Sequence, residues 1–204
     1  MKGFISLEGI EGSGKSTQVK LLAGHLRAKG HNAIETVEPG GTNIGLKIRA
    51  LLLDPRNHMD PLTELLLYYA SRAQHVREVI YPAILKKTIV ITDRFTDSTV
   101  AYQGYARGVD LSLIRALDEI VVPDMKPSLT FLLDLDAEEG LRRNRQARKE
   151  DRFELEALEF HKRVRTGFLQ IAKEEPERVR VVDASRSAEE VSAEIIKIVE
   201  EVWH

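Results

Sequence analysis

The chain contains no cysteine. That absence removes disulfides, thiolate catalysis and cysteine-ligated zinc together, and it agrees with a cytoplasmic location. Long apolar runs are missing too, so no membrane association is expected. The N-terminal stretch Gly3–Leu7, behind one lysine and ahead of Glu8, is not patterned as a secretory leader. Charge of one sign is also lacking. Thirty basic side chains stand against 32 acidic ones, leaving a net charge of −2 and no field to favour DNA or anionic lipid. Nucleic acid is therefore not an expected partner. Repeats, low-complexity tracts and flexible linkers are absent as well. What remains is a chain of 204 residues, 43% apolar and 30% charged, which suits a single domain over residues 1–204 with its own core.

Five short apolar segments read as strands: Gly3 to Leu7, Ala33 to Val37, Thr88 to Thr92, Leu129 to Leu133 and Val179 to Val182. Helical periodicity lies between them. One helix runs from Ser16 to about Lys29, stopped by Gly30. Another begins at a Thr42 N-cap and carries Ile44, Ile48, Leu51 and Leu52. A long one follows Asp60-Pro61 from Leu62 to about Lys86, with an interruption expected near Pro82. Shorter pieces cover Ser98 to Tyr102 and Leu111 to Ile120, and a further helix covers Glu154 to about Glu174. Ser187 and Glu190 form a capping box for the last one. Strands alternating with helices predict an α/β fold: a five-stranded parallel sheet with helices on both faces, open and doubly wound. Ligands of such a sheet sit beyond the carboxyl ends of its strands.

The segment Gly9-Ile10-Glu11-Gly12-Ser13-Gly14-Lys15-Ser16 satisfies the phosphate-loop pattern at every fixed position. An apolar strand enters it and an amphipathic helix leaves it. Glycines let the backbone wrap closely, its N–H groups point inward, and the helix terminus favours an anion. Lys15 can reach the β- and γ-phosphates of a nucleotide, and the Ser16 hydroxyl can coordinate Mg²⁺. A structural turn needs neither group. The guanine-selective Asn-Lys-x-Asp stretch of GTPases is absent, as is the signature segment of transporter ATPases. Asp93-Arg94 closes the clearest strand, where Asp93 can hold Mg²⁺ and Arg94 phosphate oxygens; the bland alternative is a surface ion pair.

The ordered set of motifs resembles the thymidylate kinase family. It comprises Phe4 through Gln18, Glu38-Pro39-Gly40-Gly41-Thr42, Tyr69-Ala70-Ser71-Arg72, Asp93-Arg94-Phe95, and Ser98 with Ala101-Tyr102-Gln103-Gly104. Asp134 and Asp151-Arg152 extend the likeness over nearly the whole chain. The resemblance implies a P-loop kinase fold, ATP and Mg²⁺ as donor and cofactor, dTMP as acceptor, dTDP as product, and a homodimer. It assigns Gly9, Glu11, Gly12, Ser13, Gly14, Lys15, Ser16 and Thr17 to the donor loop. Ser16 and Asp93 become metal ligands. On the acceptor side Tyr68 would stack on thymine, Arg72 would donate to its O4, and Gln103 would bond the N3 edge with Ser98 nearby. Arg49 and Arg94 would hold the 5′-phosphate, and Tyr102 would exclude a ribose 2′-hydroxyl. Glu11 and Glu38 complete that set. Each has a plainer alternative, Tyr68 as a core aromatic and Arg49 as a solvated side chain. Val37 departs from the family, which usually has arginine there.

Asp136 and Glu139 form a second capping-box pattern, followed by Arg142, Arg143, Arg145, Arg148, Lys149 and Arg152. Locally only Glu150 and Asp151 oppose them, and no aromatic alternates with them as a nucleic-acid platform requires. The expected role is a basic lid at about 140–152 that closes over the donor and excludes water; the alternative is a solvated charged face. With Glu11-Gly12-Ser13 inside the phosphate loop, the lid supplies the cations, as in bacterial family members. Lys15, Arg94, Arg148 and Arg152 are thus the catalytic candidates. Competing readings are a kinase for another nucleoside monophosphate or a deoxynucleoside, and a non-catalytic nucleotide-dependent interaction protein. The apolar run Leu65 to Ala70 wraps more than one helix face, which favours a second copy over its outer side.

Overall fold

The structure is a computed structural model that describes residues 3–146 and 151–203. Strands β1 (Phe4–Glu8), β2 (Ala33–Val37), β3 (Ile89–Asp93), β4 (Leu129–Asp134) and β5 (Val179–Asp183) form one sheet in the order β2-β3-β1-β4-β5. Every pairing is parallel. Strand β1 lies at the centre, and its register sets Leu7 beside Asp93 of β3 and Glu8 beside Leu132 of β4. The carboxyl ends of the three central strands are therefore level, and the loops that leave them share one edge.

Period-two alternation sends side chains to both faces. Ile5, Leu7, Ile89 and Ile91 share one cluster with Val19, Leu22, Ala23 and Leu26 of α1 (Lys15–Ala28). Phe4 and Val90 meet Val76, Ile80, Ala83 and Phe95 in a second cluster. Each such side chain contributes about 1.5–3 kcal/mol when fully buried, so the central strands are committed on both faces. This matches the near-continuous apolar runs of their sequences.

The remaining helices are α2 (Asn43–Leu53), α3 (Pro61–His75), α4 (Tyr81–Leu85), α5 (Thr96–Thr99), α6 (Leu111–Val121), α7 (Ala137–Gln146), α8 (Leu158–Glu174) and α9 (Ala188–Trp203). Thr42 caps α2, its Oγ1 accepting from the Gly45 N–H at 2.9 Å. The Ser187–Glu190 box is complete at α9, with both reciprocal bonds formed at 3.3 and 3.0 Å. At α7 only half of the expected box forms. Asp136 Oδ1 accepts from the Glu138 N–H, but Glu139 turns outward to Arg142 and Arg143 instead of back to the cap.

Three expectations need correction. The helix placed from Glu154 starts at Leu158, because the residues before it form turns held by Asp151 Oδ1. The interruption near Pro82 is a π-helical turn over Val76–Ile80 rather than a break. Proline has no N–H and its ring crowds the carbonyl four residues back, and a widened turn relieves both. The piece from Ser98 to Tyr102 is the end of α5 running into a longer π-helical stretch, Val100–Ala106. Along α2 only Leu52 of the named apolar residues is buried, while Ile44 and Leu51 are each 51% exposed.

Candidate active site

The phosphate loop joins β1 to α1. Gly14, at φ 90°, begins α1 without a side-chain cap, so first-turn N–H groups remain directed at the loop. Gly12 has φ 74°, and a Cβ there would lie 2.3 Å from the carbonyl oxygen of Gly140. A Cβ at Gly140 would in turn lie 2.6 Å from the carbonyl oxygen of Glu11. Two glycines thus let the phosphate loop and the first turn of α7 touch backbone to backbone.

Lys15 folds over this loop. Its Nζ donates to the carbonyls of Ile10 at 2.7 Å and Gly9 at 3.1 Å, and to Ser13 Oγ at 3.3 Å. Burial, and then repulsion from Arg94, push its ammonium pKa down to about 8 against the pull of Asp93, Glu11 and Glu8. Ser16 Oγ donates to Asp93 Oδ2 at 2.5 Å, which joins the start of α1 to the end of β3.

Arg94 follows in the left-handed region at φ 73°, a conformation that surrounding contacts must hold in place. Its Nη1 donates to the Gly9 carbonyl at 2.9 Å and to Ser98 Oγ at 3.0 Å. Its Nη2 donates to Glu11 Oε1 at 2.9 Å and to the Tyr102 hydroxyl at 3.0 Å. One guanidinium therefore ties the donor loop to the acceptor side. Tyr102 donates in turn to Glu11 Oε1 at 2.6 Å. Burial by itself would raise the Glu11 carboxyl, but the nearby His161 ring and the charges of Arg94 and Lys15 outweigh it and hold the group well below the carboxylate range.

Behind the acceptor side lies a buried ionic set. Arg72, 1% exposed, donates from Nε to Glu38 Oε2 at 2.7 Å and from Nη2 to the Phe95 carbonyl at 3.0 Å. Its Nη1 is buried with no hydrogen-bond acceptor among the described residues. His75 Nδ1 takes the other Glu38 oxygen at 2.9 Å. Glu38 stays ionised: burial opposes this, and Arg72 and His75 overcome it. Gln103 Nε2 donates to Glu64 Oε1 at 2.8 Å. Arg49 Nη1 donates to the Pro39 carbonyl at 2.8 Å. The Tyr68 ring tilts against Phe153 with centroids 6.5 Å apart.

These elements enclose a cavity of about 540 Å³. Of the residues singled out from sequence, it is lined by Glu11, Gly12, Gly14, Lys15, Ser16 and Thr17 on one side. Glu38, Arg49, Tyr68, Asp93, Arg94, Ser98, Tyr102 and Gln103 line the other. Val37, at the departure from the usual arginine, and Arg143 and Asp151 of the basic segment also line it. Gly9, Ser13, Arg72 and Arg152 do not line it but contact residues that do: Gly9 and Ser13 touch Lys15, Arg72 pairs with Glu38, and the Arg152 guanidinium lies over the Phe153 ring. Arg148 lies outside the described residues. Arg152 is held by Glu64 Oε2 at 2.5 Å and the Leu52 carbonyl at 2.9 Å, and Arg142 and Arg143 are engaged by Glu139. Glu139 of α7 therefore joins Glu150 and Asp151 as a local carboxylate opposing the basic segment, and Glu64 of α3 adds one from elsewhere in the chain.

Sequence reasoning did not single out Glu8, Glu64, His75, Phe153 or His161. Glu8 accepts from the Phe95 N–H at 2.7 Å and from Ser98 Oγ at 2.5 Å; burial, and then Asp97, push it up to about 8. Glu64, Tyr68 and Arg72 stand at i, i+4 and i+8, a spacing that puts them along one helix face and could have marked the first of them.

A phosphate loop between a central parallel strand and its helix, facing an arginine-bearing cavity across the strand ends, defines a P-loop nucleotide-binding protein. A family model described as thymidylate kinase matches residues 7–195. Among curated relatives, the thymidylate kinase of Syntrophotalea carbinolica is 52% identical over 198 residues, covering 94% of this chain and 92% of that one. That of Deinococcus radiodurans is 49% identical, covering 98% of both. A crystal structure of thymidylate kinase from Ehrlichia chaffeensis superposes with a TM-score of 0.79 at 40% identity, covering 96% of this chain and 97% of that one. The chain belongs to the thymidylate kinase family.

Proposed function

We propose that the protein phosphorylates dTMP to dTDP, with ATP as donor and Mg²⁺ as cofactor. The observation that carries this reading is Arg94, whose guanidinium joins the phosphate loop to the acceptor side of one cavity. Family membership supplies the substrate class. The donor's phosphates lie along the loop from Gly9 to Thr17, and Lys15 exchanges its carbonyl contacts for their oxygens. The Ser16 hydroxyl and the Asp93 carboxylate, 2.5 Å apart, are hard oxygen donors of the kind that suit Mg²⁺, an ion that keeps phosphate oxygens and waters as its other ligands. Bound there, the ion would neutralise charge on the transferring phosphoryl group.

The acceptor phosphate is held by Arg49 and Arg94, and its oxygen is already anionic near neutral pH, so positioning and electrostatics suffice without a strong base. Tyr68 stacks on thymine, Arg72 offers Nη1 to O4, and Gln103 meets the N3 edge near Ser98. Tyr102 guards the 2′ position beside Glu11, and Glu38 keeps Arg72 oriented. The basic segment at about 140–152 acts as a lid on a single kinase domain, with Arg148 as its donor-side cation. Arg152 joins the acceptor side through Glu64. The protein works in the cytoplasm as a homodimer; among the described residues no helix is long and apolar enough to cross a membrane. A coupled ADP-release assay with dTMP, dUMP, dCMP and dGMP at equal concentration tests the reading. The highest kcat/KM is expected with dTMP, and equal or better use of another monophosphate overturns it.

A further inference from the structure

Gln103 lines the cavity, and an amide has two unlike ends: one oxygen that accepts and one nitrogen that donates. Which end meets a base is decided by what holds the other. In this structure the holder is Glu64, a side chain 1% exposed that does not line the cavity. Its Oε1 accepts from Gln103 Nε2 at 2.8 Å. Arg107 approaches the same carboxylate at 3.4 Å and Arg152 at 2.5 Å. Gln103 and Arg107 donate to this carboxylate and the Arg152 guanidinium is ion-paired with it, so Glu64 acts as the acceptor, the nitrogen end of Gln103 is drawn inward and the oxygen end is left toward the cavity.

We infer that Glu64 is a positioning residue for base selection: it fixes the orientation of the Gln103 amide, so that the site presents an acceptor to the N3 edge of the base. The inference rests on the reading of Gln103 as the residue that meets that edge. Thymine carries N3–H, a donor, and is matched by the Gln103 oxygen. Cytosine carries a bare N3 acceptor, and two acceptors would face each other across a dry contact. A reversed amide would exchange these preferences. Arg107 and Arg152 make Glu64 a firm holder, since they fix the carboxylate in place and turning the amide would bring its oxygen against carboxylate oxygens that have no donor to offer. The selection therefore comes from a residue that never touches the nucleotide.

Glu64→Gln gives the test its sign. The two guanidinium groups claim the single carbonyl oxygen of the new amide, which turns its NH₂ toward Gln103. Gln103 then reverses and offers Nε2 to the base. Measured as kcat/KM for dTMP and dCMP, the preference for dTMP is expected to fall about tenfold or more, the scale of one mismatched buried hydrogen bond. The kcat/KM for dCMP itself should rise, which a merely weakened fold does not produce. Glu64→Asp keeps the charge for both arginines but withdraws the carboxylate from Gln103. It should narrow the preference even if Glu64→Gln does not fold. Gln103→Ala separates the two layers of the reading. A narrowed preference in Gln103→Ala with an unchanged one in the folded Glu64 variants overturns the role of Glu64 alone. An unchanged preference in Gln103→Ala overturns the base reading by Gln103, and this inference with it.

Discussion

At the scale of single residues, Lys15 has the most exacting position. Its ammonium sits against loop carbonyls with a pKa lowered to about 8, because burial and Arg94 disfavour the charge. Phosphates restore what burial removes, so nucleotide binding favours the protonated form. Affinity for ATP measured by calorimetry should be flat below pH 8 and weaken by up to about tenfold per unit above it, as binding comes to require proton uptake. Lys15→Ala should abolish that slope and cost several orders of magnitude in turnover while the thermal transition stays cooperative. Arg72 makes a different prediction. Breaking its buried pair with Glu38 by Arg72→Ala should lower stability by about 3–5 kcal/mol. Loss of its Nη1 donor should narrow the dTMP over dCMP preference by about 1–3 kcal/mol. The second figure is read from a ratio of kcat/KM values, which does not depend on how much of the protein is folded.

At the scale of elements, the approach of α7 to the phosphate loop is the contact most easily tested. Gly140→Ala improves helix propensity by about 1 kcal/mol. It also places a Cβ 2.6 Å from the Glu11 carbonyl oxygen, a backbone atom that cannot swing aside, and 2.8 Å from the Ile10 Cδ1 side-chain tip. Overpacking of that kind costs about 1–3 kcal/mol, so the clash outweighs the propensity gain. The variant should melt lower than wild type and bind ATP more weakly, whereas an unchanged affinity would show that the loop tolerates displacement. Most elements could be read from sequence because their signals are local: alternation in the strands, Thr42 and Ser187 as caps, Pro61 at the first turn of α3. The two π-helical stretches could not. They arise where a regular helix must shift register by one residue, at Pro82 and around Tyr102 and Gln103, and periodicity averages such a shift away.

At the scale of the whole molecule, the apolar run from Leu65 to Ala70 is divided between two environments. Leu65 and Tyr69 are buried against Ile114 of α6, and the Tyr69 hydroxyl donates to the Ile114 carbonyl at 2.9 Å. Leu62 and Leu66 on the outer side remain 47% and 49% exposed. Neighbouring α2 adds Ile44, Leu46 and Leu51, each more than half exposed. Among the described residues nothing covers this surface, and a two-fold copy of it would bury it. Sedimentation at micromolar concentration should give about 46 kDa, two copies of a 23.1 kDa chain. Substituting Leu46 and Leu66 with glutamate should shift the protein toward the single-chain mass, and an unaltered 23 kDa species in the wild type would refute the dimer.

The sequence by itself determined the strands and the phosphate loop, since each depends on neighbours within a few residues or on a fixed pattern such as Gly9 to Ser16, and the alternation of strands with helices carried their parallel arrangement. It also placed Asp93-Arg94 at a strand end, where an open sheet exposes functional groups. Tertiary structure alone decided which charges meet. Glu64 and Arg152 are 88 positions apart in number yet share an ion pair at 2.5 Å, and Glu8 finds Ser98 across the sheet edge. Electrostatics act through space at a few ångströms and carry no trace in local periodicity. The chain order therefore announced a nucleotide-binding loop, but only the fold revealed the buried partners that orient Arg72, Gln103 and Glu11 around the cavity.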